Sequence, residues 1–371
     1  MYDHTAATRA RTLLHGAARH LHTVDPVHEL GDALDAALSA PAGDAAYRRK
    51  PTLEPRFSEG SAGTLSFDLL PGGPWASPSD RVAVATSTSR DLVGRSFGRD
   101  AVRWLDGRLE VAGALGGRSS EWGATLGSGF GRDGVMESTV HLEWGPQLMD
   151  SLPARLHRIA QIALETLPSL RPAFSTVRAT RHGGTQQVTF DVTSALPLDR
   201  LEPLLRRLGL GHQHAGLTSA LALLLGARYI LPPNAAMLTL RPAGPGVEFR
   251  VDVDLDAIPD PPPDIAKLLQ LQMSERPRSL RAFRRWVAAL TPEGYSGPGR
   301  LSVLSVVIGP TTPARLALNL APAVVERSES GDPRRGQGAP PRLAAPAPAA
   351  PAGYGDPWGS ESVWQPAGVG A

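Results

Sequence analysis

The sequence predicts an α+β fold in which ten antiparallel strands, arranged as five hairpins, curl into a closed barrel enclosed by a ring of helices. Two observations carry that expectation. Between about residues 60 and 326, segments of apolar–polar alternation come in pairs joined by turns, five times over. Alternation with period two marks a strand that has one apolar and one polar face. The pairs are separated by stretches with apolar residues at helical spacing, and a helix of that kind needs an apolar surface to cover. Left open, five hairpins followed by helices would expose two long unpaired edges, which closure removes. An open sheet with one face to water is the alternative arrangement.

Each element has its own signal. Helical periodicity at 5–21 and 27–40 defines an N-terminal segment, residues 1–49, that packs on a barrel domain of residues 50–326. The first hairpin pairs TLSFDLLP (64–71) with RVAVATSTS (81–89), and a helix follows over 90–105. The second pairs LEVAGALG (109–116) with ESTVHLEW (137–144). Residues 147–168 then carry leucines at helical spacing and stop before Pro172. The third hairpin, STVRATRH (175–182) and TQQVTFDVT (185–193), turns on Gly183 and Gly184 and leads into short helices at 198–209 and 216–227. The fourth joins AMLTLRP (236–242) to VEFRVDVDL (247–255), with a helix over 264–290 behind it. The fifth joins RLSVLSVVI (300–308) to ARLALNLAP (314–322). Residues 327–371 are rich in Pro, Ala and Gly and lack aliphatic periodicity, so they read as a disordered tail; its bulky residues are Tyr354, Trp358 and Trp364.

The alternation assigns faces. Val188, Phe190 and Val192 oppose Gln187, Thr189 and Asp191, and Val247, Phe249, Val251 and Val253 oppose Glu248, Arg250, Asp252 and Asp254. With the apolar sets under the helices, the polar sets point into a central lumen that ten strands leave too wide to fill. Arg81, Arg178, Arg241 and Arg250 are then lumen cations that could grip an anion with paired hydrogen bonds.

Composition narrows the function. With no cysteine in 371 residues, disulfides, thiolate metal sites and cysteine nucleophiles are excluded. Of the 38 basic residues only Lys50 and Lys267 are lysine, a bias without the basic, aromatic-interleaved blocks of a nucleic-acid binder. No segment is long and apolar enough for a membrane span or a signal peptide, which leads us to expect a soluble, cytoplasmic protein without membrane or nucleic-acid partners. LGSGFGRDG (126–134) reads as a turn, and the pair His212 and His214 has no third ligand in reach of a zinc site. Asp252, Asp254 and Asp256 alternate along one strand and leave a divalent ion such as Mg2+ open.

Several strings, in this order, resemble the indole branch of the aromatic prenyltransferases, the dimethylallyltryptophan synthase type. They are LEPRFSEG (53–60) before TLSFDLLPGG (64–73), QVTFDVTSALPLDRLEPLLRRLG (187–209), and NLAP (319–322). The resemblance covers about residues 50–326 and implies the ABBA or PT-barrel fold. It implies a transferase of natural-product biosynthesis that moves a prenyl group from an allylic diphosphate, its co-substrate, to an aromatic small molecule or peptide, with no cofactor required. By the same resemblance Glu54, with Glu59 as runner-up, orients the acceptor. The lumen slots that the family fills with Lys, Arg and Tyr fall on His141 and Glu143, on Gln187, Thr189 and Asp191, on Arg250 and Asp252, and on Asn319. Those slots have lost their tyrosines and gained acids. Two other functions therefore stand beside prenyl transfer: acid–base chemistry in the same barrel through His141, Glu143, Asp191 and Asp252, and non-catalytic binding of a ligand.

Overall fold

In the computed structural model of the protein, the described residues are 6–38, 52–61, 63–73, 76–115, 121–145, 148–259, 261–262 and 264–325. The expected tail over 327–371 lies outside them. In chain order the helices are α1 (Ala6–Leu21), α2 (Pro26–Leu38), α3 (Pro78–Phe97), α4 (Arg99–Leu115), α5 (Ala154–Thr166), α6 (Leu201–Arg207), α7 (His214–Leu224), α8 (Ile265–Gln272) and α9 (Pro277–Leu290). The strands are β1 (Leu53–Ser58), β2 (Leu65–Leu69), β3 (Ala124–Gly131), β4 (Gly134–Glu143), β5 (Leu170–Thr180), β6 (Gly183–Val192), β7 (Leu196–Pro197), β8 (Ile230–Leu231), β9 (Ala236–Ala243), β10 (Gly246–Asp254), β11 (Gly299–Ile308) and β12 (Arg315–Pro322).

Ten strands close into one antiparallel barrel in the order β1-β12-β11-β10-β9-β6-β5-β4-β3-β2, and the short β7 and β8 pair separately. All five hairpin turns lie at one end, because each of the first four hairpins is followed by a connection that carries helices and returns to the next hairpin at the other end. The alternation dictates the packing. In β10, Phe249, Val251 and Val253 are fully buried against the helices, and in β9 Leu238 and Leu240 lie opposite Val251 and Phe249. Phe57 of β1 meets the rings of Phe283 and Trp286 from α9, at centroid distances of 5.5 and 5.8 Å. The N-terminal helices pack on the same side, α1 lying between α2 and α9.

Four expectations from the sequence are corrected. Residues 81–89 are helical, not a strand: Ser77 caps α3 by accepting the Asp80 N–H at 3.1 Å, Pro78 occupies its first turn, and Arg81, Ala85 and Ser89 form its buried stripe at a spacing of four. The local valine alternation loses to that capped, four-spaced stripe. Residues 109–115 likewise belong to α4. The two missing barrel strands are β1 and β3, so LGSGFG is not a turn but a strand. Glycine suits β3 because its neighbours' side chains occupy the lumen face. A Cβ on Gly127 would stand 2.5 Å from Asp68 Oδ1, and one on Gly129 would stand 2.8 Å from Glu137 Cγ. Finally, the helix expected over 264–290 is two, α8 and α9, because Pro277 has no N–H to continue a helix and instead starts one.

One carboxyl at the edge of this frame opposes the fold. Asp254 ends β10 and caps the turn that follows by accepting the Asp256 N–H at 3.0 Å. Burial, aided by nearby Asp256, lifts its pKa above the ordinary value despite the turn's N–H groups and Arg300. A carboxyl whose folded pKa is raised costs stability in its charged form, so the cost is present above the folded pKa and is relieved as pH falls through it. Asp254→Asn keeps the capping oxygen and removes the charge. It should stabilise the protein at pH 8 by about 0.5 kcal/mol, the group being half-buried and screened. The gain should shrink on acidification, and thermal melts at several pH values check both the sign and the trend.

Candidate functional site

The lumen encloses a cavity of about 450 Å³, walled by the inward positions of all the barrel strands but β3. Five arginines line it, Arg56, Arg178, Arg241, Arg250 and Arg315, and so do five carboxylates, Glu54, Asp68, Glu137, Glu248 and Asp252. Their formal charges cancel.

Strand register sets the pairings. On the β1–β5 side, Glu137 is shared: it pairs with Arg178 and, at 3.4 Å, with Arg56. Arg56 also stands 3.5 Å from Asp68. Burial works against the Arg56 cation, but Asp68, Glu137, Glu54 and Asp252 together outweigh it and hold its pKa above the ordinary value. Asp68 Oδ1 in turn stands 3.4 Å from His141 Nε2, and His141 Nδ1 is 2.9 Å from Thr176 Oγ1, its directly opposite residue across β4 and β5. The Phe174 ring meets the imidazole edge to face at 5.7 Å, and Trp122 meets Phe174 at 6.0 Å.

On the facing side Asp252 is the hub. Its carboxylate accepts from Arg250 Nε at 2.9 Å, from Ser305 Oγ at 2.5 Å and from Thr239 Oγ1 at 3.4 Å, and Thr239 is bonded to Thr189 at 2.9 Å. Arg241 pairs with Glu248 at 2.6 Å, and the buried Glu54 accepts from Ser302 Oγ at 2.6 Å. Arg315 has no carboxylate within ion-pair distance among the described residues.

Of the residues nominated from the sequence, Glu54, His141, Asp252, Arg178, Gln187, Arg241, Arg250 and Asn319 line this cavity. Arg81 and Glu143 do not. Arg81 is a fully buried residue of α3 that donates to the Gly73 and Trp122 carbonyls at 3.2 and 3.1 Å. Glu143 accepts the N–H groups of Glu121, Trp122 and Gly123 at 3.0, 2.7 and 2.8 Å. Both therefore clamp the chain entering β3, because a carboxylate within reach of three successive N–H groups is already satisfied by them. Glu59 is held by Arg276 at 3.0 Å and by the Leu316 N–H at 3.1 Å, outside the lumen, and Asp191 faces Arg171 at 3.5 Å. The alternating aspartates do not gather on one ion: Asp252 serves Arg250, Asp254 caps a turn and Asp256 pairs with Arg300. Among the described residues no group of three or more His, Asp or Glu could hold a metal ion. His212 and His214 bond to the Pro310 and Leu198 carbonyls at 3.1 and 3.2 Å. Sequence reasoning missed Arg56, Asp68, Glu137, Thr176 and Arg315. For Arg56 and Asp68 the signal was available, since Glu54, Arg56 and Ser58, like Ser66 and Asp68, alternate with apolar residues or proline.

No protein-family model and no curated protein sequence matches this chain. Solved structures do. PriB in a binary complex with product diphosphate is 13% identical, with a TM-score of 0.65, over 87% of this chain and 97% of that one. The 5-dimethylallyl tryptophan synthase from Streptomyces coelicolor, in complex with DMASPP and Trp, is 15% identical with a TM-score of 0.63, over 87% and 97% of the two chains. The 6-dimethylallyltryptophan synthase from Micromonospora olivasterospora, also in complex with DMASPP and Trp, is 14% identical with a TM-score of 0.63, over 86% and 98%. The chain has the PT-barrel fold of the aromatic prenyltransferases. Its described tyrosines, Tyr229 and Tyr295, lie away from the lumen, and the rings that face it are Phe174 and His141. No helix among the described residues is long and apolar enough to cross a membrane.

Proposed function

We propose that this PT barrel binds a small amphoteric molecule, one carrying both an anionic and a cationic group, and does not ionise an allylic diphosphate. One observation supports the reading above others: four of the five lumen arginines are each held by a carboxylate, leaving no net positive charge for a leaving diphosphate. A zwitterion can enter such a lumen by exchanging partners, its anion replacing a carboxylate on an arginine and its cation taking up the freed carboxylate. Neither half of the pair is then left desolvated without a partner. The Arg241–Glu248 pair, partly open to solvent, is the natural entry point.

The second reading is transfer of a prenyl group from an allylic diphosphate to an aromatic or peptide acceptor, with Glu54 orienting the acceptor. It is supported by the fold, whose solved examples hold diphosphate, DMASPP and Trp. Thermal shift separates the two. Under the first reading an α-amino acid or short peptide raises Tm where its singly charged analogues do not, and Arg241→Gln and Glu248→Gln each abolish the shift. Stabilisation by millimolar dimethylallyl diphosphate, with a prenylated product on incubation with tryptophan, would establish the second reading instead.

A further inference from the structure

The row Thr176, His141, Asp68, joined by one hydrogen bond and one ion-pair contact, has an order with chemical consequences. The charge of the Asp68 carboxylate, 3.4 Å from Nε2, favours the imidazole proton on that nitrogen. Nδ1 then carries the lone pair, and the contact of 2.9 Å must be a hydrogen bond donated by the Thr176 hydroxyl. The assignment follows from the donor set rather than from visible hydrogens. The result is a hydroxyl directed at a base whose far side faces a carboxylate, which is the arrangement that activates an alcohol as a nucleophile. All three side chains line the cavity, and the Phe174 ring restrains the imidazole. Arg178, two residues beyond Thr176 on the same strand, lines the same cavity in its pair with Glu137.

We propose that Thr176 is an acyl-accepting nucleophile, with His141 as its general base and Asp68 as the group that orients the base. In the first step the Thr176 O–H bond breaks, its proton passes to His141 Nδ1 and Oγ1 bonds to the carbonyl carbon of an ester; the ester C–O bond then breaks as that proton passes from His141 to the leaving oxygen, releasing the alcohol or phenol and restoring the neutral imidazole. In the second step water gives a proton to His141 and attacks the acyl carbon. The bond from Oγ1 to that carbon breaks, Oγ1 recovers its proton, and the carboxylic acid departs. The inference goes beyond ligand binding and is separable from it, because the probe ester is uncharged.

The test is acetylation by p-nitrophenyl acetate, read by intact mass and by mapping the modified peptide. With Lys50 and Lys267 the only lysines, background amine acylation is small. The expected result is one adduct on Thr176 in the wild-type chain and in Thr176→Ser, and none there in Thr176→Val. In His141→Gln the acetylation rate of Thr176 should fall about 100-fold or more, the usual weight of a general base. An Asp68→Asn chain should be slowed as well, with its p-nitrophenolate release shifted in pH dependence, since an amide no longer fixes the tautomer. Thermal melts confirm folding of each variant. If Thr176 remains unmodified in a folded wild-type chain, or is modified equally fast in His141→Gln, the assignment is wrong.

Discussion

Asp252→Ala should be among the most destabilising single changes in the barrel, lowering stability by about 2–3 kcal/mol. The side chain is 5% exposed and gathers three donors, from Arg250, Ser305 and Thr239. Truncation leaves the Arg250 guanidinium without its carboxylate and two buried hydroxyls without their acceptor. Removing one member of a fully buried pair costs about 3–5 kcal/mol. Arg250 is 28% exposed, so water recovers part of that sum. The cost comes from what is stranded and not from the pair's own strength, which gives the test its second arm. Replacing both residues, Arg250→Leu with Asp252→Leu, should be less damaging than Asp252→Ala alone, because no charge is then left unpaired. Denaturant unfolding of wild type, single and double variants measures both. A single variant within about 0.5 kcal/mol of wild type would show that water, not Asp252, satisfies Arg250 in solution.

The sequence disclosed the barrel through its strongest alternations. β5, β6, β9, β10, β11 and β12 were readable because apolar and polar residues largely alternate in them, most regularly from Val247 to Asp254. β3 was not, because the side chains that fill its lumen face come from β2 and β4: Gly127 and Gly129 carry no apolar or polar signal, only room for Asp68 and Glu137. Arg81 to Ser89 misled for the opposite reason. Two valines alternate locally, but the burial stripe has helical period and the deciding cap, Ser77, lies outside the alternating string. The same division runs through the site. Residues on the legible strands, such as Arg178, Arg241 and Arg250, could be placed in the lumen from their own strand. Asp252 and Glu248 were foreseeable as partners of lumen arginines, Asp252 because it lies two residues from Arg250 on one strand, whereas the pairing of Arg178 with Glu137 depends on the register of β4 and β5, which a single strand's text does not contain. Glu143 shows the limit most plainly. It sits in phase with His141 on β4, yet it serves three backbone N–H groups where the chain enters β3.

Charge balance in the lumen is the property on which the proposed reading turns, and Glu137 controls most of it. Its carboxylate is 15% exposed and is the shared partner of Arg56 and Arg178, so Glu137→Gln changes the lumen by one positive charge while keeping the side chain's shape. Arg178 then has no second carboxylate within ion-pair distance among the described residues, whereas Arg56 keeps Asp68 at 3.5 Å. An anion entering the variant meets a guanidinium fork already in place and no repelling carboxylate. Two unit charges about 4 Å apart near a protein surface interact by about 4 kcal/mol, of which desolvation of the anion takes back a share. A net gain of about 1.5–3 kcal/mol is therefore expected, or about 10- to 100-fold in Kd for pyrophosphate or dimethylallyl diphosphate by calorimetry. The gain should weaken with salt, as expected for a partly open site. Adding Arg178→Gln to Glu137→Gln should abolish it, which assigns the effect to the released cation and not to a loosened barrel. The alternative outcome is equally informative. If the wild-type chain binds diphosphate as tightly as Glu137→Gln, the lumen ion pairs open at no cost, and the case for an amphoteric ligand over an allylic diphosphate falls with them.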